Sequence, residues 1–472
     1  MRPLETLLAL LVALCFLRPV LPQRWRWPDF LPSAALAVAV LQIVFEGYRW
    51  QMLPLYLLAV GLFVFYLPRM IRPRPVTTPR PAWRSGLYAA LGLLATALAV
   101  ALPVLLPIPQ LPAPTGPYPV GTMTLMLTDE SRRELYGSDP EAARRFLVQL
   151  WYPAQAPIDG ETAPWMDNVD QVAPAIARWV NLPGFSLDHL RYAHGNAYPS
   201  ALLSGNVSRF PVLLFSHGWG GFRAQSTFLM EELASHGYVV AALEHPYGSV
   251  KTVFPDGSVA LNNPQALPIG APETEYEAAA VRLVDQWAGD LGYTLDVLEG
   301  LNADDPVYNF TGRLLLDKVG VLGHSTGGGA AIEFCGRDPR CQAGLGLDAY
   351  MRPVSPAVRQ SGVVQPFLFL FSELWPSQEN TALFEELQSN SPQAAWLTLL
   401  GTDHYDFTDL PMLSPLAHLL GLKGPLDGDR TLRVIDDYAL ALFNKALKGE
   451  SSALLEGPSP AYPEIRWETM DN

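Results

Sequence analysis

Four long apolar stretches crowd the first quarter of the chain and then stop. They run from about Leu4 to Leu17, Leu31 to Phe45, Met52 to Leu67 and Leu87 to Leu106, each interrupted by no more than Gly, Pro or a few polar groups. The last is long enough to cross a bilayer core as a helix, while the first two are short and need flanking residues to reach across. The pattern predicts a four-span helical membrane module over residues 1–112. A signal peptide followed by three spans, or helices lying in the interface, are the competing readings. The first run, however, exits into Phe16-Leu17-Arg18-Pro19 instead of a small-residue cleavage site. A proline-rich stretch from Pro107 to Pro119 then forbids helix continuation and marks a domain boundary.

Beyond it the pattern changes. Short, β-branched or continuously apolar runs alternate with longer amphipathic segments, as in a mainly parallel sheet buried on both faces. Strands are expected near Phe146–Trp151, Pro211–Phe215, Val239–Leu243, Lys318–Leu322, Ala343–Leu347, Pro366–Phe371 and Trp396–Leu400. Helices are expected over Phe222–His236, Glu275–Leu298, Thr326–Phe334 and Thr431–Leu447, with a weaker one near Thr381–Gln388. Residues 113–472 therefore read as one wound α/β domain, whose functional loops belong at the carboxyl ends of the strands.

Charge separates the two regions further. Residues 1–112 hold ten Arg, no Lys and three acids, about +7, so −21 of the total −14 falls on residues 113–472. A mean hydropathy of +0.13 is high for a purely soluble protein, and the excess lies in the first region. The Arg-rich connections contain Arg18, Arg24 and Arg26, then Arg69, Arg72, Arg74, Arg80 and Arg84, against only Arg2 and Arg49 on the other side. Such loops stay cytoplasmic, so an even number of spans directs the C-terminal domain to the extracytoplasmic side. Trp25, Trp27, Trp50 and Trp83 at span ends fit an interfacial belt. The acidic domain carries no basic stripe, which excludes nucleic acid as a partner class.

Three cysteines cannot build a disulfide framework. Cys15 sits in an apolar run, and only Cys335 and Cys341 could pair, with two separate buried thiols as the alternative. No Cys/His cluster has metal-ligand spacing. Asn206-Val207-Ser208 and Asn309-Phe310-Thr311 match glycosylation acceptors, which matter only in a host with that machinery.

Gly323-His324-Ser325-Thr326-Gly327 matches G-x-S-x-G, a short string that chance supplies easily. Its setting makes it specific: it follows the apolar run Val319-Gly320-Val321-Leu322 and opens a segment of small residues. A strand-to-helix turn of this kind is the nucleophile elbow of the α/β-hydrolase fold. A serine hydroxyl needs a base and an acid that fixes the base's tautomer, in the chain order serine, acid, histidine. Downstream stand only His404 and His418. His404 follows a strand, in Gly401-Thr402-Asp403-His404, whereas His418 lies in a helical apolar context. Two carboxylates, Asp348 and Glu373, end successive strands, and position alone leaves both open. The loop Ser216-His217-Gly218-Trp219-Gly220-Gly221 is expected to supply the Trp219 N–H, beside that of Thr326, to an oxyanion hole. His217 is a candidate second base but more often such a residue braces backbone, and His245 is a candidate pocket or packing residue.

These residues resemble the platelet-activating-factor acetylhydrolase family of the lipoprotein-associated phospholipase A2 type. The likeness covers most of residues 117–449. It rests on Pro117-Tyr118-Pro119-Val120-Gly121, Trp151-Tyr152-Pro153, Phe215-Ser216-His217-Gly218 with Phe222-Arg223, Leu233-Ala234-Ser235-His236-Gly237, Glu244-His245, Gly323-His324-Ser325, Leu347-Asp348-Ala349 and Leu422-Lys423-Gly424. The resemblance implies a metal-independent, cofactor-free triad of Ser325, Asp348 and His404, with Trp219 and Thr326 as oxyanion donors. It implies hydrolysis of lipid esters such as the short sn-2 acyl group of a phospholipid. Thr326 stands where relatives often carry Phe or Met, and the membrane module is not part of the secreted enzyme. A general carboxylesterase or polyester hydrolase is the second enzymatic reading, and a membrane-anchored pseudo-hydrolase that only binds is the non-enzymatic one. The aromatic-rich stretch Trp165–Tyr198 is either a cap over the pocket or a surface loop.

Overall fold

A computed structural model describes residues 1–21, 30–71, 81–156, 158, 160–375 and 377–468. Two compact units emerge, Met1–Pro109 with Leu413–Leu416, and Gln110–Met412 with Ala417–Asn472.

The first unit is built from α1 (Pro3–Leu17), α2 (Leu31–Phe45), α3 (Leu53–Ile71) and α4 (Ala82–Leu105). All four predicted apolar runs are helical, but the four-span count is corrected. Among the described residues three helical stretches, Pro3–Val20, Trp50–Pro68 and Ala82–Leu105, are long and apolar enough to cross a membrane. The 15 residues of α2 rise about 22 Å, short of a ~30 Å hydrocarbon core. Leu8, Val12, Phe16, Ala35, Leu55, Ala59 and Leu62 form the unit's interior, while Leu57, Val64, Leu91 and Leu98 face outward and exposed. A Cβ on Gly92 would lie 2.0 Å from the Phe16 ring, so the lack of one lets α4 approach α1. One end is fastened by charge: buried Glu5 pairs with Arg49 at 3.1 Å and Arg2 at 2.9 Å, and Arg49 Nη2 donates to the Leu106 carbonyl at 2.6 Å. Trp50 opens the turn into α3 and exposed Trp83 lies in the first turn of α4. Arg24, Trp25, Arg26, Trp27, Arg72, Arg74 and Arg80 lie outside the described residues.

The second unit runs β1 (Val120–Arg133), β2 (Ala143–Pro153), α5 (Val169–Trp179), β3 (Tyr198–Pro199), β4 (Phe210–Ser216), α6 (Thr227–Ser235), β5 (Val239–Glu244), a ribbon of β6 (Lys251–Val253) and β7 (Val259–Leu261), α7 (Glu273–Ala303), β8 (Leu314–His324), α8 (Thr326–Arg337), β9 (Cys341–Leu347), α9 (Pro356–Ser361), β10 (Phe367–Ser372), α10 (Gln378–Ser389), β11 (Ala394–Leu399), α11 (Gly428–Phe443) and β12 (Ile465–Trp467). Ten strands form one sheet in the order β12-β11-β10-β9-β8-β4-β5-β2-β1-β3. Its centre, β5-β4-β8-β9-β10-β11, is parallel throughout, with helices as the crossovers. All seven predicted strands are present. The long antiparallel β1, paired with β2 from Val120↔Pro153 to Arg133↔Ala143, was not predicted. Every residue of β4, β5 and β10 is buried, as continuous apolar runs require in a sheet covered on both faces. This α/β-hydrolase sheet ends β4, β5, β8, β9, β10 and β11 on one edge, where the loops converge. Cys335 and Cys341 are joined by a disulfide between α8 and the start of β9, and Cys15 is free and buried.

Candidate active site

Ser325 stands alone between β8 and α8 at φ 56°, ψ −122°, a conformation that L side chains rarely adopt and that the fold must impose. The flanking glycines are the condition for it. A Cβ on Gly323 would lie 2.1 Å from the Gly327 carbonyl oxygen, and one on Gly327 would lie 2.1 Å from the Ser216 carbonyl oxygen. The turn is pinned to the neighbouring strand's loop by Ser325 N–H to Leu347 O at 3.0 Å and Tyr350 N–H to Ser325 O at 2.9 Å.

Asp348 follows β9 directly and is fully buried, with φ 44°. Its Oδ1 accepts from the Ser372 N–H at 2.6 Å, and its Oδ2 accepts from the Ser372 hydroxyl at 2.6 Å and faces His404 Nδ1 at 3.0 Å. Glu373 is turned elsewhere, accepting from the Gly401 N–H at 2.8 Å. The structure thus separates the two carboxylates that strand position leaves open.

His404 opens a short 3-10 turn after β11. Asp403 caps it at 2.7 Å, and Asp406 Oδ2 reaches back to the Asp403 N–H at 2.8 Å and across to the Gly424 N–H at 2.6 Å. That last bond gives the Leu422-Lys423-Gly424 motif its structural role, bracing the loop that carries His404. The imidazole is stacked on Trp375, with ring centroids 4.2 Å apart and planes 16° apart, and packs against His324 at 4.5 Å. His324 Nε2 donates to the His404 carbonyl at 3.0 Å, and its Nδ1 faces Gln225 Nε2 at 3.1 Å. Burial, and then the neighbouring His404, push the His324 pKa well below its ordinary value, so this ring is neutral.

A cavity of about 510 Å³ opens over Ser325, Thr326, His404 and Trp219, with an aromatic wall of Tyr276, Tyr350 and Trp375 and a rim carrying Arg352, Glu273 and Ile269. Among the described residues, neither the Trp219 nor the Thr326 N–H has a protein acceptor, and Thr326 is the first residue of α8, where helix dipole and free amides favour negative charge. No hydrogen bond joins Ser325 Oγ to His404 Nε2 among the described residues. In ligand-free sites of this kind such contacts are often long or poorly aligned and tighten when substrate binds.

The other candidates lie apart from this cavity. His217 Nδ1 donates to Gly218 O at 2.7 Å, the bracing role, and His245 is fully buried outside the cavity lining. His418 is held by the Lys423 carbonyl at 3.1 Å. The stretch Trp165–Tyr198 contributes no residue to the cavity wall, although the Trp179 ring lies against Gly220, where a Cβ would meet it at 2.1 Å. Sequence patterning alone does not point to Ser372, Trp375 or Gln225 as neighbours of the site, nor to the support that His324 gives the His404 loop. Of these, only Trp375, an aromatic just past a strand end, carries so much as a hint of its place.

The family model described as platelet-activating factor acetylhydrolase, isoform II, matches residues 107–453. A platelet-activating factor acetylhydrolase of Cavia porcellus is 28% identical over 358 residues, covering 71% of this chain and 78% of its own length. A probable 1-alkyl-2-acetylglycerophosphocholine esterase of Arthroderma benhamiae is 26% identical over 415 residues, covering 79% and 96%. Among solved structures, a ferulic acid esterase from Streptomyces cinnamoneus superposes with a TM-score of 0.62 at 28% identity, covering 77% of this chain and all of its own.

Proposed function

The chain belongs to the platelet-activating factor acetylhydrolase, isoform II, family, and from that premise we propose that it cleaves the short sn-2 acyl group of platelet-activating-factor-like phospholipids through an acyl-enzyme on Ser325. It is a carboxylic ester hydrolase with the α/β-hydrolase fold. What supports the finer reading is one observation: the strained turn residue Ser325 shares a cavity with a histidine whose far nitrogen is held by a buried carboxylate at 3.0 Å.

The chemistry follows from the geometry. Asp348 keeps the His404 proton on Nδ1, which leaves Nε2 free to take the Ser325 proton as Oγ attacks the ester carbonyl. The oxyanion forms toward the Trp219 and Thr326 amides, each donor of this type being worth about 3 kcal/mol of transition-state stabilisation. His404 returns the proton to the leaving alcohol, then activates water to release the acyl group. The route calls on no metal or cofactor, because the imidazole generates the nucleophile and the amides neutralise the charge.

In this reading residues 1–112 are a membrane anchor and residues 113–472 the catalytic domain; its extracytoplasmic side rests on the Cys335–Cys341 disulfide, since the even number of crossings that first suggested it does not hold for three helices. Holding the domain beside a bilayer raises its effective concentration near lipid esters without a new contact. A second reading, a carboxylesterase acting on aromatic or polymeric esters, is supported by the aromatic wall of Tyr276, Tyr350 and Trp375 and by the likeness to the ferulic acid esterase.

Fluorophosphonate labelling of the full-length protein, combined with hydrolysis of short-acyl phospholipids, feruloyl esters and polyester films, tests both. Labelling lost in Ser325→Ala with the highest kcat/KM on short-acyl phospholipids is the expected result. Preference for feruloyl or polymeric esters moves the assignment to the second reading, and labelling retained in Ser325→Ala removes the nucleophile.

A further inference from the structure

A second serine–histidine–aspartate chain, hydrogen-bonded end to end, lies sealed inside the protein. Ser216 Oγ is 2.9 Å from His245 Nε2, and His245 Nδ1 is 2.9 Å from Asp290 Oδ2. All three residues are fully buried and none lines the cavity. With no access for an ester, the chain cannot attack one, so its connectivity asks for another explanation.

Its protons can be placed in order. Asp290 sits between Arg144, at 2.7 Å and 3.1 Å, and Arg132, at 2.9 Å. These guanidiniums keep it ionised, so it holds the His245 proton on Nδ1. Nε2 is then an acceptor, and the Ser216 hydroxyl must donate to it. The ring plane is fixed by stacking on Trp287, with centroids 4.3 Å apart and an interplanar angle of 7°. His245 also gives its backbone N–H to His217 Nε2 at 3.1 Å, which leaves the His217 proton on Nδ1 and directs it to Gly218 O at 2.7 Å.

The end of this chain is what matters. Ser216, His217 and Gly218 are the three residues that lead into Trp219, and two imidazoles bind them from below. The far side of the loop is tied to the same segment as His245, by Gly220 N–H to Gly248 O at 2.8 Å and Val250 N–H to Gly221 O at 3.0 Å. The direction of the Trp219 amide is therefore set by a frame whose fixed point is Asp290, in the middle of α7.

We propose that the buried Asp290–His245–Ser216 chain, with His217, is a positioning device that aims the Trp219 N–H at the oxyanion. Ser216, His245 and Asp290 are positioning residues for the triad above, not a second nucleophilic centre. The proposal rests on the reading of Ser325 as nucleophile and Trp219 as oxyanion donor.

The test uses the full-length protein with Ser216→Ala, His245→Gln and Ser325→Ala. It measures kcat and KM for a p-nitrophenyl ester per site titrated with fluorophosphonate, the second-order rate of that labelling, and the thermal midpoint. Loss of an oxyanion donor outright costs about 10²–10³ in kcat, and a donor loosened but not removed should cost part of that. The expected result for Ser216→Ala and His245→Gln is a fall in kcat and in labelling rate together, by about 10- to 100-fold, with KM within about threefold. Stoichiometric labelling should be retained. Kcat per titrated site within about twofold of wild type, whatever the thermal midpoint does, means the chain only supports the fold and overturns the proposal. Should His245→Gln fail to fold, Ser216→Ala, which removes a single hydroxyl, decides by the same criteria. If Ser325→Ala is labelled like wild type, the nucleophile reading falls and takes the proposal with it. If only Ser325→Ala loses labelling and Ser216→Ala behaves as wild type, the proposal alone falls.

Discussion

Asp348 and Glu373 end neighbouring parallel strands, and nothing in the local sequence of either says which one faces the imidazole. The distinction is made by Ser372, whose amide and hydroxyl both point at Asp348, while Glu373 is drawn to the Gly401 N–H. Asp348→Asn is expected to lower kcat by about 10⁴-fold by releasing the His404 tautomer, and Glu373→Gln, which keeps an acceptor for Gly401, by less than about threefold. Steady-state kinetics on one soluble ester checks both. Ser325 and His404 could be read from the chain because each is a chemically distinctive residue at a strand's carboxyl end, and their shared cavity is consistent with that reading. The His245–Asp290 contact could not. Asp290 follows Gly289 in a long amphipathic helix, where an acid reads as part of a solvated face, and only the packing of α7 under β5 brings it to an imidazole 45 residues away.

Among the elements, the strands buried on both faces were legible because continuous apolar runs between turn residues admit few other placements. The long β1 was not, since its second half, Thr128 to Arg133, is polar and charged and lacks a clean alternation. That polar half has a buried purpose: Arg132, with Arg144 of β2, reaches Asp290 of α7. Arg144→Ala would leave Asp290 and Glu134 without their shared cation and is expected to cost about 3–5 kcal/mol, measured by urea titration of tryptophan fluorescence. A second device joins α6 to the Trp165–Tyr198 stretch. Glu231 accepts from the Asn196 and Ala197 amides, and Asp409 accepts from Trp165 Nε1 and the Thr227 and Phe228 amides. Burial pushes both carboxyls up to about 7. Since the unfolded chain titrates them near 4, the fold gains most from them in acid and loses that gain as pH rises through 7. The thermal midpoint of wild type relative to Glu231→Gln is therefore expected to fall between pH 5 and pH 8, and a flat difference would refute it.

At the scale of the whole chain, apolar patterning divides the sequence where the structure does, near the prolines after residue 106. It overcounts the crossings because the short run Leu31–Phe45 is expected to gain length from its flanks, whereas the helix α2 is those same 15 residues and no more. Three helices of spanning length and composition lead to a direct expectation: the full-length protein stays with membranes through alkaline carbonate washing and leaves only with detergent. Recovery in the carbonate supernatant would reject the anchor. The disulfide, finally, makes the polypeptide keep a record of where it matured. Cytosolic thiol buffering keeps such bridges open, whereas export lets them close. Membranes denatured in a maleimide–polyethylene glycol reagent should therefore show one mass increment, from Cys15, if Cys335 and Cys341 folded beyond the cytoplasm. Three increments would mean they never left it, so a gel band can report sidedness with no fused reporter.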